Sequence, residues 1–171
     1  MTSIHWFRRD LRINDNPAFN EACKSGEVLP IVLIDPNLWP TWGTPKQAYL
    51  IDSLKELGVR SVRIDLCTST VNTLQIELLE RLIQSGFHVH LHLLQSFDDA
   101  KDIAKNTEKQ HAWADFVQAL VDTYGQQVAM IEVGATVNRP RWSGYDLEGF
   151  VVAWKIAYRI IKRADLAVAG P

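Results

Sequence analysis

Three arginines follow an apolar stretch near the start of the sequence. Arg8, Arg9 and Arg12 come after the run Ile-His-Trp-Phe at 4–7 and before the run Asn-Asp-Asn-Pro at 14–17. Guanidinium groups beside the free N–H groups of a helix N-terminus favour an anion. In the alternative interpretation the arginines only fix the loop, because buried charges need partners. The carboxylates that would then hold Arg8 and Arg12 are those of Asp10, Asp15 and Asp35.

Three histidines alternate along the stretch HVHLHLL. His88, His90 and His92 therefore share one face of a strand. Such a set could bind a metal ion, with Asp65 or Glu132 on neighbouring strands as a further ligand. The alternative is a polar sheet face without metal, and this is the interpretation we favour.

Two carboxylates stand within apolar strands. Asp65 and Glu132 would be costly to bury unless each is paired. They could pair with Arg63 or His90 in a structural role, or act together as an acid/base pair. We expect structural pairing, since ion pairs that only stabilise a fold are common.

A loop late in the sequence combines an aromatic ring with polar groups. Asn138, Arg139 and Trp142 lie between a strand and a helix. An exposed tryptophan near a guanidinium can stack on a sugar or a base. These three residues are therefore candidates for binding a substrate.

The elements that position these residues alternate along the chain. Apolar runs and helical patterns predict an α/β fold with six parallel strands. The predicted strands are 4–8, 28–35, 61–66, 88–94, 129–134 and 166–170. The longest irregular segments, about 95–108 and 135–145, both follow strands, at the edge where parallel α/β folds bind ligands.

Composition restricts the class of protein. A net charge of -2 over 171 residues predicts no strong nucleic-acid binding. Cys23 and Cys67 lack the spacing of a disulfide scaffold or a zinc site, so we expect a reducing, cytoplasmic setting. No stretch of the sequence is apolar enough to span a membrane, so we expect no membrane partner. The chain stops at Pro171 on a strand without a following helix; we expect a chain cut short, able to self-associate through that uncovered strand.

The first part of the sequence resembles the photolyase/cryptochrome family. The stretches WFRRDLRINDNPAF and GEVLPIVLIDP carry the resemblance, over about residues 3–57. It implies an α/β domain that borders a folate or deazaflavin antenna, with FAD and damaged DNA held by a helical domain that is absent here. The residues it implies for cofactor binding are Arg8, Arg9, Asp10, Arg12 and Asp35.

Residues 48–171 resemble a glycoside-hydrolase-like (β/α)8 barrel. In such barrels a strand ends in an Asn-Glu pair whose Glu is the general acid/base. Thr136 stands at the position of that Glu, and glycosidases need two carboxyl groups. The resemblance therefore implies a catalytically inactive fragment, with carbohydrate as the partner that Asn138, Arg139 and Trp142 would bind.

The two resemblances meet within residues 49–60, a segment that we call the seam. We predict a single α/β domain over 1–171, either an open Rossmann-like sheet or a partial (β/α) barrel. We expect its function to be that of a truncated or composite photolyase/cryptochrome-type α/β domain that binds at most an antenna pigment, with no catalytic residue, no metal and no DNA repair by itself. The alternatives are the inactive barrel fragment and a designed or chimeric scaffold without a ligand.

Overall fold

The structure, a computed structural model, describes residues 2–7, 11–32 and 41–171. Strands and helices alternate, which confirms the predicted α/β class. The strands are β1 (Ser3–Phe7), β2 (Val28–Val32), β3 (Ser61–Cys67), β4 (His88–Leu94), β5 (Met130–Val133) and β6 (Val168–Ala169). The helices are α1 (Pro17–Lys24), α2 (Thr44–Glu56), α3 (Thr73–Gln84), α4 (Phe97–Asp102), α5 (Thr107–Tyr124), α6 (Pro140–Ser143) and α7 (Leu147–Arg163).

The chain divides into two compact units, which we call the first unit (Met1–Arg60) and the second unit (Ser61–Pro171). In the first unit β1 and β2 form a two-stranded parallel sheet. In the second unit the order is β3-β4-β5-β6, with every neighbouring pair parallel. The described strands of the second unit thus follow one another in the sheet as they do in the sequence, and the described residues form no closed barrel.

The first unit places a helix start just beyond β1. The side chain of Asn16 accepts a hydrogen bond from the backbone N–H of Phe19 at 3.1 Å, and Pro17 follows at the first helical position. Both features are typical of helix N-termini, because the cap satisfies a free N–H and proline has none to lose. Phe7 is buried, and its ring lies 5.3 Å from that of Phe19, so α1 packs on β1.

In the second unit, alternate residues of the strands form a buried apolar face. Helices α3, α5 and α7 share one layer, since the Tyr124 hydroxyl donates to Glu80 at 2.9 Å and the Trp113 indole donates to the Ala153 carbonyl at 3.0 Å. Burial of this surface is the main source of stability for the unit. The face consists of Ile64, Leu66, Val89, Leu91, Leu93, Ile131 and Val133.

The opposite face of the same sheet is polar, and we call it the polar face. It carries Arg63 and Asp65 of β3, the three histidines of β4 and Glu132 of β5. Parallel sheets usually carry helices on both faces. Within the second unit the three long helices instead cover one face only.

Two short helices lie in segments that the sequence predicts to be irregular. Helix α4 begins after Ser96, whose hydroxyl accepts from the N–H of Asp99 at 3.1 Å, and α6 spans only four residues. Helices of this length are too short to show a 3.6-residue apolar period, which is why the sequence pattern missed them.

No helix in the described part of the chain is both long and apolar enough to cross a membrane.

Candidate functional site

The predicted cofactor-binding residues, which we call the arginine corner, are Arg8, Arg9, Asp10, Arg12 and Asp35. The structure describes only part of this set. Arg8, Arg9, Asp10 and Asp35 lie outside the described residues. The guanidinium of Arg12 pairs with the carboxylate of Asp15 at 2.8 Å. Asp15 is one of the three carboxylates named as partners, so the structural contact exists for Arg12. Binding of a cofactor by these five residues stays a prediction.

The polar face holds a row of titratable side chains across three strands. The strand register places Asp65 of β3 beside His92 of β4, and His92 beside Glu132 of β5. Arg63, two residues before Asp65, reaches the same row and completes what we call the Arg63 cluster: Arg63, Asp65, His92 and Glu132. His92 is 1% exposed although it faces away from the helices. Its ring nitrogens lie within hydrogen-bond distance of Arg63, Asp65 and the Gly134 carbonyl.

Arg63 links both carboxylates of the cluster. Its Nε lies 3.0 Å from Oε2 of Glu132 and 3.5 Å from Oδ1 of Asp65. The expected structural pairing of Asp65 and Glu132 with Arg63 is therefore present. The histidine that joins them is His92 and not His90, because the register sets His90 beside Arg63 and Met130 instead.

The two ring nitrogens of His92 have different surroundings. Nε2 lies 2.9 Å from the carbonyl oxygen of Gly134, which only accepts, so Nε2 carries a hydrogen. Nδ1 lies 2.6 Å from Nη2 of Arg63 and 2.9 Å from Oδ1 of Asp65. A neutral ring accepts at Nδ1 from Arg63, whereas a protonated ring donates from Nδ1 to Asp65.

The cluster changes the acidity of Asp65. The hydrogen bond with His92 is the main cause that lowers the pKa of Asp65, and the charges of His92 and Arg63 act in the same direction. Partial burial opposes them by disfavouring the charged carboxylate. Asp65 is thus held as an anion, which suits a structural partner better than a general acid.

The three histidines considered as possible metal ligands have different surroundings. His88 is exposed, His90 is half-buried, and both nitrogens of His92 are already within hydrogen-bond distance of protein groups. Across the described ranges, no group of three or more potential ligands is arranged to hold a metal ion.

The residues predicted to bind a substrate lie at the start of α6 and within it. Asn138, Arg139 and Trp142 are all exposed, and Trp142 is 79% exposed. A hydrogen bond from the Trp142 N–H to the Arg139 carbonyl, 2.8 Å, closes the turn that brings these two residues to one side. This arrangement can present an aromatic ring and a cation to the same ligand.

Sequence reasoning missed the contact that anchors this loop. The hydroxyl of Tyr145 donates to the Gln95 side chain at 2.6 Å, and both residues are buried. Burial raises the pKa of Tyr145, so its hydroxyl stays protonated and able to donate. The two residues are 50 positions apart, and nothing in the local pattern signals their contact.

Comparison with known proteins identifies relatives of the chain. The family model described as DNA photolyase matches residues 3–119. The chain is 28% identical to the deoxyribodipyrimidine photo-lyase of Salmonella typhimurium and 29% identical to that of Escherichia coli, over 67% of this chain and 22% of each relative. It is 42% identical to cryptochrome-2 of Arabidopsis thaliana over 33% of this chain and 11% of that protein. No solved structure matches the chain.

The family match covers residues 3–119, which is more of the chain than the photolyase resemblance at about 3–57. The chain spans about a fifth of the length of the photolyases that it matches. The family match runs past the seam at 49–60 and continues into α5.

Proposed function

Because the chain belongs to the DNA photolyase family, we propose that it forms the α/β domain with which a photolyase/cryptochrome-type protein begins, and that it binds at most an antenna pigment. The observation that carries this proposal is the family match from residue 3, which includes β1 and the arginine corner. The 171-residue chain is proposed to have no enzymatic activity by itself.

The pigment would bind at the arginine corner. Arg12 remains 56% exposed beside Asp15, so its guanidinium is accessible to an anionic group of a folate or a deazaflavin. The N-terminus of α1, capped by Asn16, adds a dipole that favours negative charge at the same end of β1. Arg8, Arg9, Asp10 and Asp35 complete the proposed cofactor-binding set.

Pigment retention tests the proposal. The purified chain is incubated with methenyltetrahydrofolate or with 8-hydroxy-5-deazaflavin, free pigment is removed, and absorbance is recorded. We expect one pigment to be retained, and retention to fall in Arg12→Ala. Lys24→Ala is the matched control, since Lys24 is an exposed cation of the same unit, paired with Glu21 on α1. Retention of neither pigment by the unmodified chain would contradict pigment binding at the arginine corner.

A second function is favoured by the sheet of the second unit. Sequential parallel strands with all long helices on one face are the arrangement of a (β/α)8 barrel segment. We propose as the alternative an incomplete, inactive barrel-like fragment that binds carbohydrate through Asn138, Arg139 and Trp142. Binding of the full chain to an array of neutral glycans, lost in Trp142→Ala, supports this alternative.

The remaining expectations concern assembly and origin. We propose weak self-association through β6, which pairs only with β5 among the described residues. A rise in apparent mass with concentration on size-exclusion chromatography would support it. A composite chain joined at the seam, a designed scaffold without a ligand, and a cytoplasmic location all stay predictions.

A further inference from the structure

The indole of Trp142 stands out among the apolar side chains of the second unit. Trp142 and Leu147 are 79% and 81% exposed, more than the other large apolar side chains that the structure describes. Helix α4 contacts α6, and its Phe97 side chain is also 46% exposed. Single exposed apolar residues are ordinary, whereas several on adjoining elements mark a binding surface.

The turn that carries Trp142 is fixed from both sides. Gly144 ends α6 with a positive φ of 79°, and its N–H donates to the Pro140 carbonyl at 2.9 Å. The next residue, Tyr145, is buried and bonded to Gln95 at 2.6 Å. The ring is therefore held in solvent by an ordered backbone, which reduces the entropy lost when a ligand stacks on it.

Two arginines precede Trp142 in the same turn. Arg139 and Arg141 are both exposed, and in the described part of the chain no carboxylate lies within ion-pair distance of either guanidinium. Arg139 is the residue just before α6, and its carbonyl accepts from the Trp142 N–H at 2.8 Å, so one turn of backbone carries both residues. The nearest acid in sequence, Asp146, is engaged in capping α7 through the N–H of Gly149 at 2.6 Å.

We propose that Trp142 and Arg139 form a binding site for nucleoside phosphates, with Arg141 supporting the charge. The base would stack on the indole, and the guanidinium of Arg139 would pair with the phosphate. A nucleoside phosphate combines a flat ring with an anion, the two groups that an indole and a guanidinium recognise. A neutral glycan can accept hydrogen bonds from the guanidinium groups but brings no negative charge to pair with theirs.

The proposed site is independent of the antenna pigment. Trp142 lies outside the residues 3–119 that match the family, and the pigment is proposed to bind at the arginine corner of the first unit. With two arginines on a chain of net charge -2, we expect weak, salt-sensitive binding.

Fluorescence anisotropy of a labelled oligo-dT strand, with unlabelled competitors, tests the site. We expect AMP to compete better than adenosine, and adenosine better than inorganic phosphate. Trp142→Ala should weaken binding by about five-fold or more, while Trp142→Phe retains most of it. Arg139→Gln should weaken binding and flatten its dependence on salt. If AMP competes as well as the unlabelled strand at equal concentration of nucleotide, the ligand is a free nucleotide. If the strand competes far better at that concentration, the ligand is single-stranded nucleic acid.

Matched controls keep the test specific. Tyr49→Ala removes an exposed aromatic ring of the first unit, and Arg159→Gln removes an exposed guanidinium from α7. Neither should change binding. In the unmodified chain, AMP should slow the oxidation of Trp142 by N-bromosuccinimide, located by mass spectrometry of peptides. Absence of binding by any nucleotide probe, equal binding by Trp142→Ala, or equal competition by neutral cello-oligosaccharides would overturn the proposal.

Discussion

At the scale of the residue, one ring nitrogen of His92 lies within hydrogen-bond distance of two members of the Arg63 cluster. Nδ1 of His92 has a donor on one side, Arg63, and an acceptor on the other, Asp65. The hydrogen on Nε2 is fixed by the Gly134 carbonyl. Nδ1 therefore accepts a hydrogen bond from Arg63 when the ring is neutral and donates one to Asp65 when the ring is protonated.

Asp65 gives this cluster a pH-dependent contribution to stability. The pKa of Asp65 is lowered from its ordinary value of 3.8, first by the hydrogen bond with His92. A carboxyl group with a lower pKa in the folded chain stabilises the fold fully above the unfolded value, and this contribution is lost as the pH falls through the folded value. We expect Asp65→Asn to lower the free energy of unfolding at pH 7, and the difference from the unmodified chain to shrink below pH 3.8. Because the side chain is 54% exposed, solvent screening keeps the effect small.

Urea unfolding at pH 7 and pH 3 measures this difference. The matched control is Asp115→Asn, which changes an exposed carboxylate on α5. A difference for Asp65→Asn that stays constant down to pH 3, or that Asp115→Asn reproduces, would contradict the linkage.

Arg12 makes an ion pair that contributes little to stability. The side chains of Arg12 and Asp15 are 56% and 64% exposed, so water screens their attraction. We expect this pair to contribute no more than about 1 kcal/mol to the free energy of unfolding, measured as the coupling between Arg12→Ala and Asp15→Asn in a double-mutant cycle. Thermal melts of the two single variants and of the double variant, with and without folate, measure this coupling. A larger coupling without folate would contradict the screening of this pair by water.

Thr136 cannot replace a catalytic carboxylic acid. Its hydroxyl does not release a proton near neutral pH, and its backbone has a positive φ of 48° that threonine rarely adopts. We expect no hydrolysis of aryl-glycosides by the chain, and none after Thr136→Glu, since the resemblance implies a partner carboxylate from a later strand. Release of nitrophenol is the measurement. Turnover by the unmodified chain would require another acid, and Asp65 and Glu132 would be the first to replace.

At the scale of the element, short helices rather than long ones position the loop with Trp142. Helix α6 ends at Gly144, where an added Cβ would overlap the Phe97 carbonyl oxygen of α4. The close approach of these two backbones fixes α6 against α4. Glycine meets both requirements of this position, a left-handed backbone and no side chain.

Gly144→Ala should be more damaging than the same change at another left-handed glycine. Gly86 has a similar φ of 82°, but its added Cβ would meet no atom within 4 Å. We expect Gly144→Ala to lower the free energy of unfolding by more than about 1 kcal/mol, and by more than Gly86→Ala does. Chemical unfolding of both variants compares them. Equal losses would show that the backbone conformation alone, and not the contact with α4, sets the cost.

The long elements could be predicted from the sequence, whereas their contacts could not. The Asn16-Pro17 pair is a sequence pattern typical of the helix start that α1 shows, and the alternation in β4 predicts that its histidines share a face. Strand ends are less predictable: β6 covers Val168–Ala169 where the apolar run predicts 166–170, because apolar character continues beyond the paired residues.

The composition of the Arg63 cluster shows where sequence reasoning stops. Arg63, Asp65 and Glu132 were expected to pair because they are charged residues in apolar strands. His92 was not expected as their partner, since the choice between His90 and His92 depends on the register of β3 and β4. A shift of one residue would turn all side chains of a strand to the other face, and no single strand encodes that register by itself.

At the scale of the whole molecule, family membership and chain length have opposite implications for function. The DNA photolyase match covers most of the chain, yet the chain corresponds to 22% of the photolyases compared. The resemblance implies that in this family a separate helical domain holds the flavin and the damaged DNA. The α/β part is therefore expected to need that domain for repair.

We expect no light-dependent repair of dimer-containing DNA by a polypeptide of these 171 residues. Its net charge of -2 also gives no general attraction to a DNA backbone. Illumination of an ultraviolet-damaged oligonucleotide with the purified chain, followed by a count of remaining dimers, is the measurement. A light-dependent loss of dimers would contradict the expectation, and a dark incubation is the control.

The sequential order of the second sheet has a consequence for how the protein is made. Each strand from β4 to β6 pairs with the strand that precedes it in the chain, so its partner has already left the ribosome when it emerges. Pairing between successive segments keeps sequence separations short for a parallel sheet, and short separations favour fast folding. The sheet can therefore grow strand by strand during translation, with its newest strand always at the edge. An edge of this kind is open to pairing with another chain until the next strand arrives, so the long intervals from β4 to β5 and from β5 to β6 are the stages of synthesis at which the sheet is open to aggregation.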